Sequence, residues 1–183
     1  MNVRVVSLRL FCRKEVQVTM FNSYTYGQLN IEQIPDKLVE FYNSHKVFES
    51  DTNIVIGTDS QNFSDTKQVS VIAIICKGHG GIFFYEISRL PKIRDVRKKL
   101  HTETQSSLEI ADKLVEILES DKRYEELYLN CNLSIHIDAG NSPTGRTREL
   151  IPELVGWVSS MGYDCRVKPL SFVASSIADK ISK

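Results

Sequence analysis

The chain lacks the features that would assign it to several specialised classes of protein. It has only four cysteines, with neither a CxxC pair nor the ligand spacing of a zinc site: Cys12, Cys76, Cys131 and Cys165. No apolar run approaches the roughly 18 residues of a membrane span. Lysine and arginine number 23, as do aspartate and glutamate, so no global positive field attracts nucleic acid. We expect a cytoplasmic protein with reduced thiols and no membrane segment.

The composition that is present is that of an ordinary folded protein. The 183 residues are 42% hydrophobic and 25% charged, which suits one domain with a full core and some appended chain. Residues 1–19 are basic, yet they contain no continuous apolar stretch followed by a small-residue cleavage site, so a secretory signal is not expected. We predict that they are an appended segment of unknown role, either an extra strand or an overlong start before Met20.

Hydrophobic periodicity predicts an α/β protein. Ile34, Leu38, Phe41 and Tyr42 share one face of a helix that begins near Asn30. The remaining elements are predicted in the order β-β-β-α-β-α-β-α, over 53–59, 69–76, 82–87, 102–120, 133–138, 146–161, 164–168 and from Ser171 to the end. Short turns between the first three strands indicate an antiparallel meander, and the later alternation indicates parallel strands with crossover helices. The prediction is therefore a mixed five-stranded sheet with flanking helices.

Two aspartates follow apolar strands of this predicted sheet. Asp59 ends the first strand, and Asp138 ends the strand at 133–138 just before the loop Ala139-Gly140-Asn141. Ligands of open α/β sheets bind outside the carboxyl ends of the strands, and carboxylate oxygens suit Mg²⁺. An aspartate at such a place is also commonly a turn or helix cap. We favour a shared site for the pair.

Two further carboxylates are candidates on the helices. Glu103 extends the apolar stripe of the helix at 102–120, whereas Glu109 falls on the opposite, solvent-facing side. A carboxylate on the inward side needs a partner, so we prefer Glu103 and keep Glu109 as the alternative. Asp179 lies at the edge of the small-residue face of the last helix, and a plain surface aspartate is the competing interpretation.

Basic residues near these carboxylates could bind phosphates. The run at 89–99, RLPKIRDVRKK, contains Arg94, Arg97, Lys98 and Lys99, although such a run is equally typical of a solvated helix face. We assign the same role to three residues near the predicted strand ends and the last helix, Arg146, Lys168 and Lys180, although Lys168 and Lys180 could instead only balance the charge of the carboxylates. His136 shares a strand face with Asp138, and we predict that it supports the site without binding the metal.

Several segments resemble a known family. The resemblance is carried by IGTDSQ (56–61), the pair Glu103-Thr104, HIDAGNSPTGRTREL (136–150) and KPLSFVASSIADK (168–180). They are similar to the YkuK-type family of poorly characterised ribonuclease H-like proteins. The ribonuclease H-like fold places acidic residues on its first strand, first helix, fourth strand and last helix, which correspond to Asp59, Glu103, Asp138 and Asp179. The resemblance implies a ribonuclease H-like domain at 53–183, preceded by a helical extension at 20–52.

The leading functional hypothesis is a metal-dependent nuclease that hydrolyses phosphodiester bonds of DNA or RNA with two Mg²⁺ or Mn²⁺ ions. Asp59 and Asp138 would anchor the ions, and Glu103 and Asp179 would complete their ligands. A non-catalytic nucleic-acid-binding module and a dimerising scaffold are the alternatives on the same fold. The sequence leaves open the choice between DNA and RNA, between endonuclease and exonuclease, and the oligomeric state.

Overall fold

A seven-stranded mixed sheet forms the centre of the protein in the computed structural model, which describes residues 19–140, 147–171, 176–177 and 180–181, apart from the side chains of 48–50. The strands run in the spatial order β2-β1-β5-β4-β3-β6-β7. Their bounds are β1 Met20–Ser23, β2 Gly27–Asn30, β3 Thr52–Asn62, β4 Thr66–Cys76, β5 Gly80–Leu90, β6 Asn132–Ile137 and β7 Asp164–Val167. Along this order, each neighbouring pair from β2 through β1, β5 and β4 to β3 is antiparallel. The pairs β3 with β6 and β6 with β7 are parallel. The mixed sheet is thus confirmed.

The predicted number of five strands is wrong, because residues 20–30 add a hairpin to the sheet. β1 and β2 pair with each other, and β1 joins the edge of β5 through Asn22 and Tyr85. Each of the two strands has only four residues, which is too short for an alternating pattern to stand out. The turn between them ends at Gly27, whose φ of 74° favours glycine.

In the part of the chain that the structure describes, the α-helices with defined bounds are α1 Ile34–Ser44, α2 Val96–Ser120, α3 Glu125–Asn130 and α4 Ile151–Ser160. α2 begins six residues earlier than the predicted 102 because the Asp95 side chain caps it, accepting a hydrogen bond of 2.7 Å from the Lys98 backbone. A short 3₁₀ turn, Arg148–Leu150, precedes α4. The helix predicted from Ser171 is described only at 176–177 and 180–181, which are helical.

Two apolar clusters lie on opposite faces of the sheet. On one face, side chains such as Ile54, Ile56 and Ile135 pack with residues of α1, α2, α3 and α4. On the other face, Val55 and its neighbours on β4 pack with Ile177. Because successive strand residues point to opposite faces, each position of β3 can be assigned to one cluster or the other. The face to which a residue of β3 points therefore determines on which side of the sheet its side chain lies.

Leu114 of α2 is fully buried in the larger cluster, so shortening it tests the packing of α2 on the sheet. We expect Leu114→Ala to lower the free energy of unfolding by about 2–5 kcal/mol, because it removes buried methyl groups and leaves a cavity. Urea denaturation measures the change. Leu129→Ala is the control, since Leu129 is 70% exposed and should change stability by less than about 0.5 kcal/mol. Equal effects of the two substitutions would contradict this packing.

Within the described ranges, no helix is both long and apolar enough to cross a membrane.

A candidate metal site at the strand ends

Asp59 and Asp138 lie beside each other on adjacent parallel strands. The pairing of β3 with β6 ends at Thr58 and Ile137; Asp59 is the next residue of β3, and Asp138 is the residue directly after β6. Neighbouring strands are about 5 Å apart. The prediction that Asp59 ends its strand is wrong, because β3 continues to Asn62 against β4. Asp59 instead follows the last residue of β3 that pairs with β6. By strand alternation, both aspartates lie on the face that carries Val55.

Glu103 reaches the same edge of the sheet from the opposite face. Its side chain is 4% exposed and accepts a hydrogen bond of 2.6 Å from the Ser60 hydroxyl. The Lys99 ammonium lies 3.7 Å from the same carboxylate oxygen. Since Ser60 follows Asp59 on β3 and points to the helix side, Ser60 places Glu103 next to the aspartate pair.

The pKa of Glu103 is shifted by burial and by the charged groups around it. The pKa of Glu103 is raised from 4.5 to about 7; burial is the largest cause, and the carboxylates of Asp59 and Asp138 act in the same direction. The Ser60 hydrogen bond and the Lys99 charge act in the opposite direction. The three acidic groups are thus close enough to repel one another. Near neutral pH, a cation that binds there competes with the Glu103 proton.

Glu109, the alternative helix carboxylate, lies away from this edge. It is exposed and accepts a hydrogen bond of 2.9 Å from Gln105 on the solvent side of α2. Of the two glutamates, only Glu103 meets the sheet, as its place on the apolar stripe predicts.

A chain of buried hydroxyls fixes α2 against β3 beneath the carboxylates. Ser107 donates to Thr58 over 2.9 Å and is also 3.0 Å from the backbone carbonyl of Glu103. Thr58 in turn donates to Ser70 on β4 over 3.1 Å. These groups and Ser60 were not predicted as site residues. The alternation of β3 offers the signal, because Thr58 and Ser60 are polar positions on the helix-facing side of an otherwise apolar strand.

Lys168 follows β7 and binds Asp138 directly. Its ammonium nitrogen lies 2.5 Å from the Asp138 carboxylate. Two register positions earlier, Arg166 of β7 pairs with His136 of β6. Burial, and then the charge of Arg166, lower the pKa of His136 to about 4, so its imidazole is neutral at pH 7. His136 therefore adds no positive charge beside Asp138.

The predicted phosphate-binding residues of the basic run lie at the start of α2. Arg94, Arg97 and Lys98 are exposed, and Lys99 is partly buried against Glu103. Arg97 forms an ion pair of 2.5 Å with Glu153 of α4. Within the described ranges, Arg94 and Lys98 have no carboxylate partner, which leaves their charges available to a ligand.

Three other predicted residues are not placed at the carboxylate edge. Asp179 and Arg146 lie outside the described residues. Lys180 is exposed at a helical position of the last segment. The described part of the cluster thus consists of Asp59, Glu103 and Asp138.

The chemistry of these donors suits a hard divalent cation, since all three offer carboxylate oxygens. Among the described residues, however, no three acidic, histidine or cysteine side chains are arranged to hold an ion. The reason is visible in the geometry: Asp59 and Asp138 face one side of the sheet, and Glu103 is bonded to Ser60 from the other. Asp59 and Asp138 therefore stay the predicted ligand pair, with Glu103 close enough for both to raise its pKa.

Comparison with known proteins agrees with this fold and places the chain in a family. The family model described as Ribonuclease H-like matches residues 33–183, and the chain belongs to that family. It is 26% identical over 171 residues to the "Uncharacterized protein YkuK" of Bacillus subtilis (strain 168), an alignment that covers 90% of this chain and 97% of that protein. The predicted resemblance to the YkuK-type family is confirmed.

A more distant structural likeness also exists. The catalytic domain of the Mos1 transposase, solved with Raltegravir and Mg, is 12% identical with a TM-score of 0.30. The match covers 84% of this chain and 71% of that one.

Proposed function

We propose that the protein is a metal-dependent nuclease that hydrolyses phosphodiester bonds of DNA or RNA. One observation carries the proposal: Asp59 and Asp138 follow the last parallel pair of β3 and β6, and the buried Glu103 lies close enough for both to raise its pKa. Membership of the ribonuclease H-like family supports the same class of chemistry. Function still depends on the site, because one fold hosts many activities.

Each acidic residue would have a defined role in this proposal. Two Mg²⁺ or Mn²⁺ ions, when bound, activate a water and stabilise the departing oxygen of the phosphodiester. Asp59 and Asp138 would hold them on the sheet face that carries Val55. Glu103 would bind an ion directly by turning away from Ser60, or would bind it through a water. In either case Glu103 would lose the proton that burial favours. Asp179 stays a proposed fourth ligand on the last helix, in a part of the chain that is not described.

The start of α2 would bind the nucleic-acid backbone. Arg94 and Lys98 are exposed there, and Lys99 connects this segment to Glu103 through its ion pair of 3.7 Å. Because the first turn of α2 carries Arg97, Lys98 and Lys99, and Glu103 follows on the same helix, a phosphate held at this turn lies within a few turns of the carboxylates.

The proposal is tested by incubating the purified protein with labelled single-stranded and duplex DNA and RNA. Cleavage should require Mg²⁺ or Mn²⁺ and stop on chelation. Comparison of end-labelled with internally labelled strands then separates an exonuclease from an endonuclease. If no substrate is cut but nucleic acid binds with a steep salt dependence that Mn²⁺ does not change, the non-catalytic binding module replaces the nuclease.

Replacing two basic residues, Arg94 just before α2 and Lys98 in its first turn, should weaken the binding of nucleic acid. We expect Arg94→Ala with Lys98→Ala to reduce the slope of log K against log salt by roughly 1.4–1.8, since each lost phosphate contact removes about 0.7–0.9. Fluorescence anisotropy between 50 and 200 mM salt, roughly, measures the slope. A control with Lys122→Ala removes a lysine near the opposite end of α2. An unchanged slope in the double variant would show that the basic run is a solvated helix face.

A further inference from the structure

Lys168 and Asp138 are held opposite each other by the parallel pairing of β6 and β7. The last recorded pairs are His136 with Arg166 and Ile137 with Val167, so Asp138 and Lys168 occupy the next step. The Lys168 backbone amide donates to the carbonyl of Ala139 over 3.2 Å, which continues the contact beyond the strands. The ion pair is therefore built into the register of the sheet and does not depend on a chance meeting of two surface side chains.

The ammonium of Lys168 stands where a divalent cation would need to bind. It lies 2.5 Å from an oxygen of Asp138, whose side chain is only 17% exposed. A metal ion that uses this oxygen must displace the ammonium or share the carboxylate with it. Because two positive charges beside one carboxylate repel each other, the ammonium weakens the binding of a divalent ion to Asp138.

Lys168 is also able to leave. Its side chain is 48% exposed, so the ammonium has access to solvent and to a ligand on the same face. Lysine carries its charge on a flexible four-carbon stem and binds phosphate as a point charge. A phosphate that approaches Asp59 and Asp138 offers the ammonium an alternative partner of the same sign as the carboxylate.

We propose that Lys168 is a displaceable counter-ion of Asp138. In the free protein it neutralises Asp138 and competes with a divalent ion for that carboxylate. When a nucleic-acid strand binds, the ammonium moves to a phosphate oxygen and releases Asp138 to the ion. The proposal rests on the proposed nuclease function, and it couples the completion of the metal site to the arrival of substrate.

The experiment is a calorimetric titration of Mn²⁺ without nucleic acid, at constant ionic strength and pH. We expect Lys168→Met and Lys168→Gln to bind Mn²⁺ roughly tenfold or more tightly than the wild-type protein, and Lys168→Arg to bind as the wild type does. Lys37→Met is the matched control: Lys37 is also paired with a carboxylate, that of Glu40 at 2.9 Å, but lies on α1, which contributes no acidic residue to the cluster. Its affinity should equal that of the wild type.

The outcomes separate the two proposals. If wild-type protein binds Mn²⁺ and Asp138→Asn does not, while both neutral variants at Lys168 bind as weakly as wild type, the counter-ion proposal is overturned and the metal site stands. If no variant binds Mn²⁺, with or without an oligonucleotide, both proposals are overturned. Thermal unfolding of each variant confirms that a changed isotherm comes from the site. A structural ion pair would alter the melting temperature and leave Mn²⁺ affinity unchanged.

Discussion

Replacing Asp138 by asparagine is expected to reduce metal-dependent cleavage by roughly a hundredfold or more. Asparagine keeps the size of the side chain and one oxygen, but it removes the charge that binds a divalent ion. Even residues that only support a metal ligand change affinity or activity by about 10–100-fold, so loss of a direct ligand should cost at least as much. Asp59→Asn should have a similar effect, because the two carboxylates lie on neighbouring parallel strands.

Single-turnover cleavage at saturating Mn²⁺ measures this loss. The double variant Asp59→Asn with Asp138→Asn should be little slower than either single variant, since groups that act as one unit are not additive. Asp112→Asn is the control: Asp112 is an exposed aspartate of α2 that accepts a hydrogen bond of 2.7 Å from Tyr163, and an amide oxygen can still accept it. Full activity of Asp138→Asn would remove the proposed site.

Glu103→Gln is expected to make the metal-free protein more stable at alkaline pH. Folding raises the pKa of Glu103 from 4.5 to about 7, so between these values the folded protein keeps a proton that the unfolded chain has lost. The stability that depends on this proton is complete below pH 4.5 and is lost as the pH rises to about 7. The difference between these two pKa values corresponds to roughly 3 kcal/mol of stability. Glutamine carries no charge and can still accept from Ser60, so it avoids this loss.

Urea denaturation from pH 4 to pH 8 with a chelator present checks this expectation. The two proteins should be equally stable near pH 4.5, and Glu103→Gln should be more stable by up to about 3 kcal/mol at pH 8. Glu109→Gln, on the exposed side of the same helix, should follow the wild type at every pH. Saturating Mn²⁺ should reduce the difference at pH 8, because a bound ion stabilises the ionised Glu103 of the wild-type protein. A variant that is no more stable at pH 8 would contradict the buried, repelled state of Glu103.

The sequence was sufficient to predict the parts of the fold that depend on long periodic segments. β3, β6 and α2 bury many apolar residues at regular spacing, so their type and order followed from the pattern, and so did the side of α2 that Glu103 occupies. The N-terminal hairpin was missed because its strands have four residues each. The early start of α2 was missed because a single cap, Asp95, decides it.

The partners of the acidic residues could not be predicted, because they depend on tertiary contacts between distant segments. Ser60 meets Glu103 across 43 positions of sequence, and Lys168 meets Asp138 only because β7 lies beside β6 in parallel register. A one-residue change of register would turn Lys168 to the other face. Sequence patterns specify which side of an element is buried, whereas register is set by the whole sheet.

The most direct test of a metal site at Asp59 and Asp138 is the anomalous diffraction of crystals soaked in Mn²⁺. We expect an anomalous peak about 2.0–2.6 Å from carboxylate oxygens of both aspartates, on the sheet face that carries Val55. The same peak should be absent from crystals of Asp138→Asn. The metal site would be contradicted if Mn²⁺ were well occupied elsewhere in the crystal and Lys168 still bound Asp138 when an oligonucleotide is present.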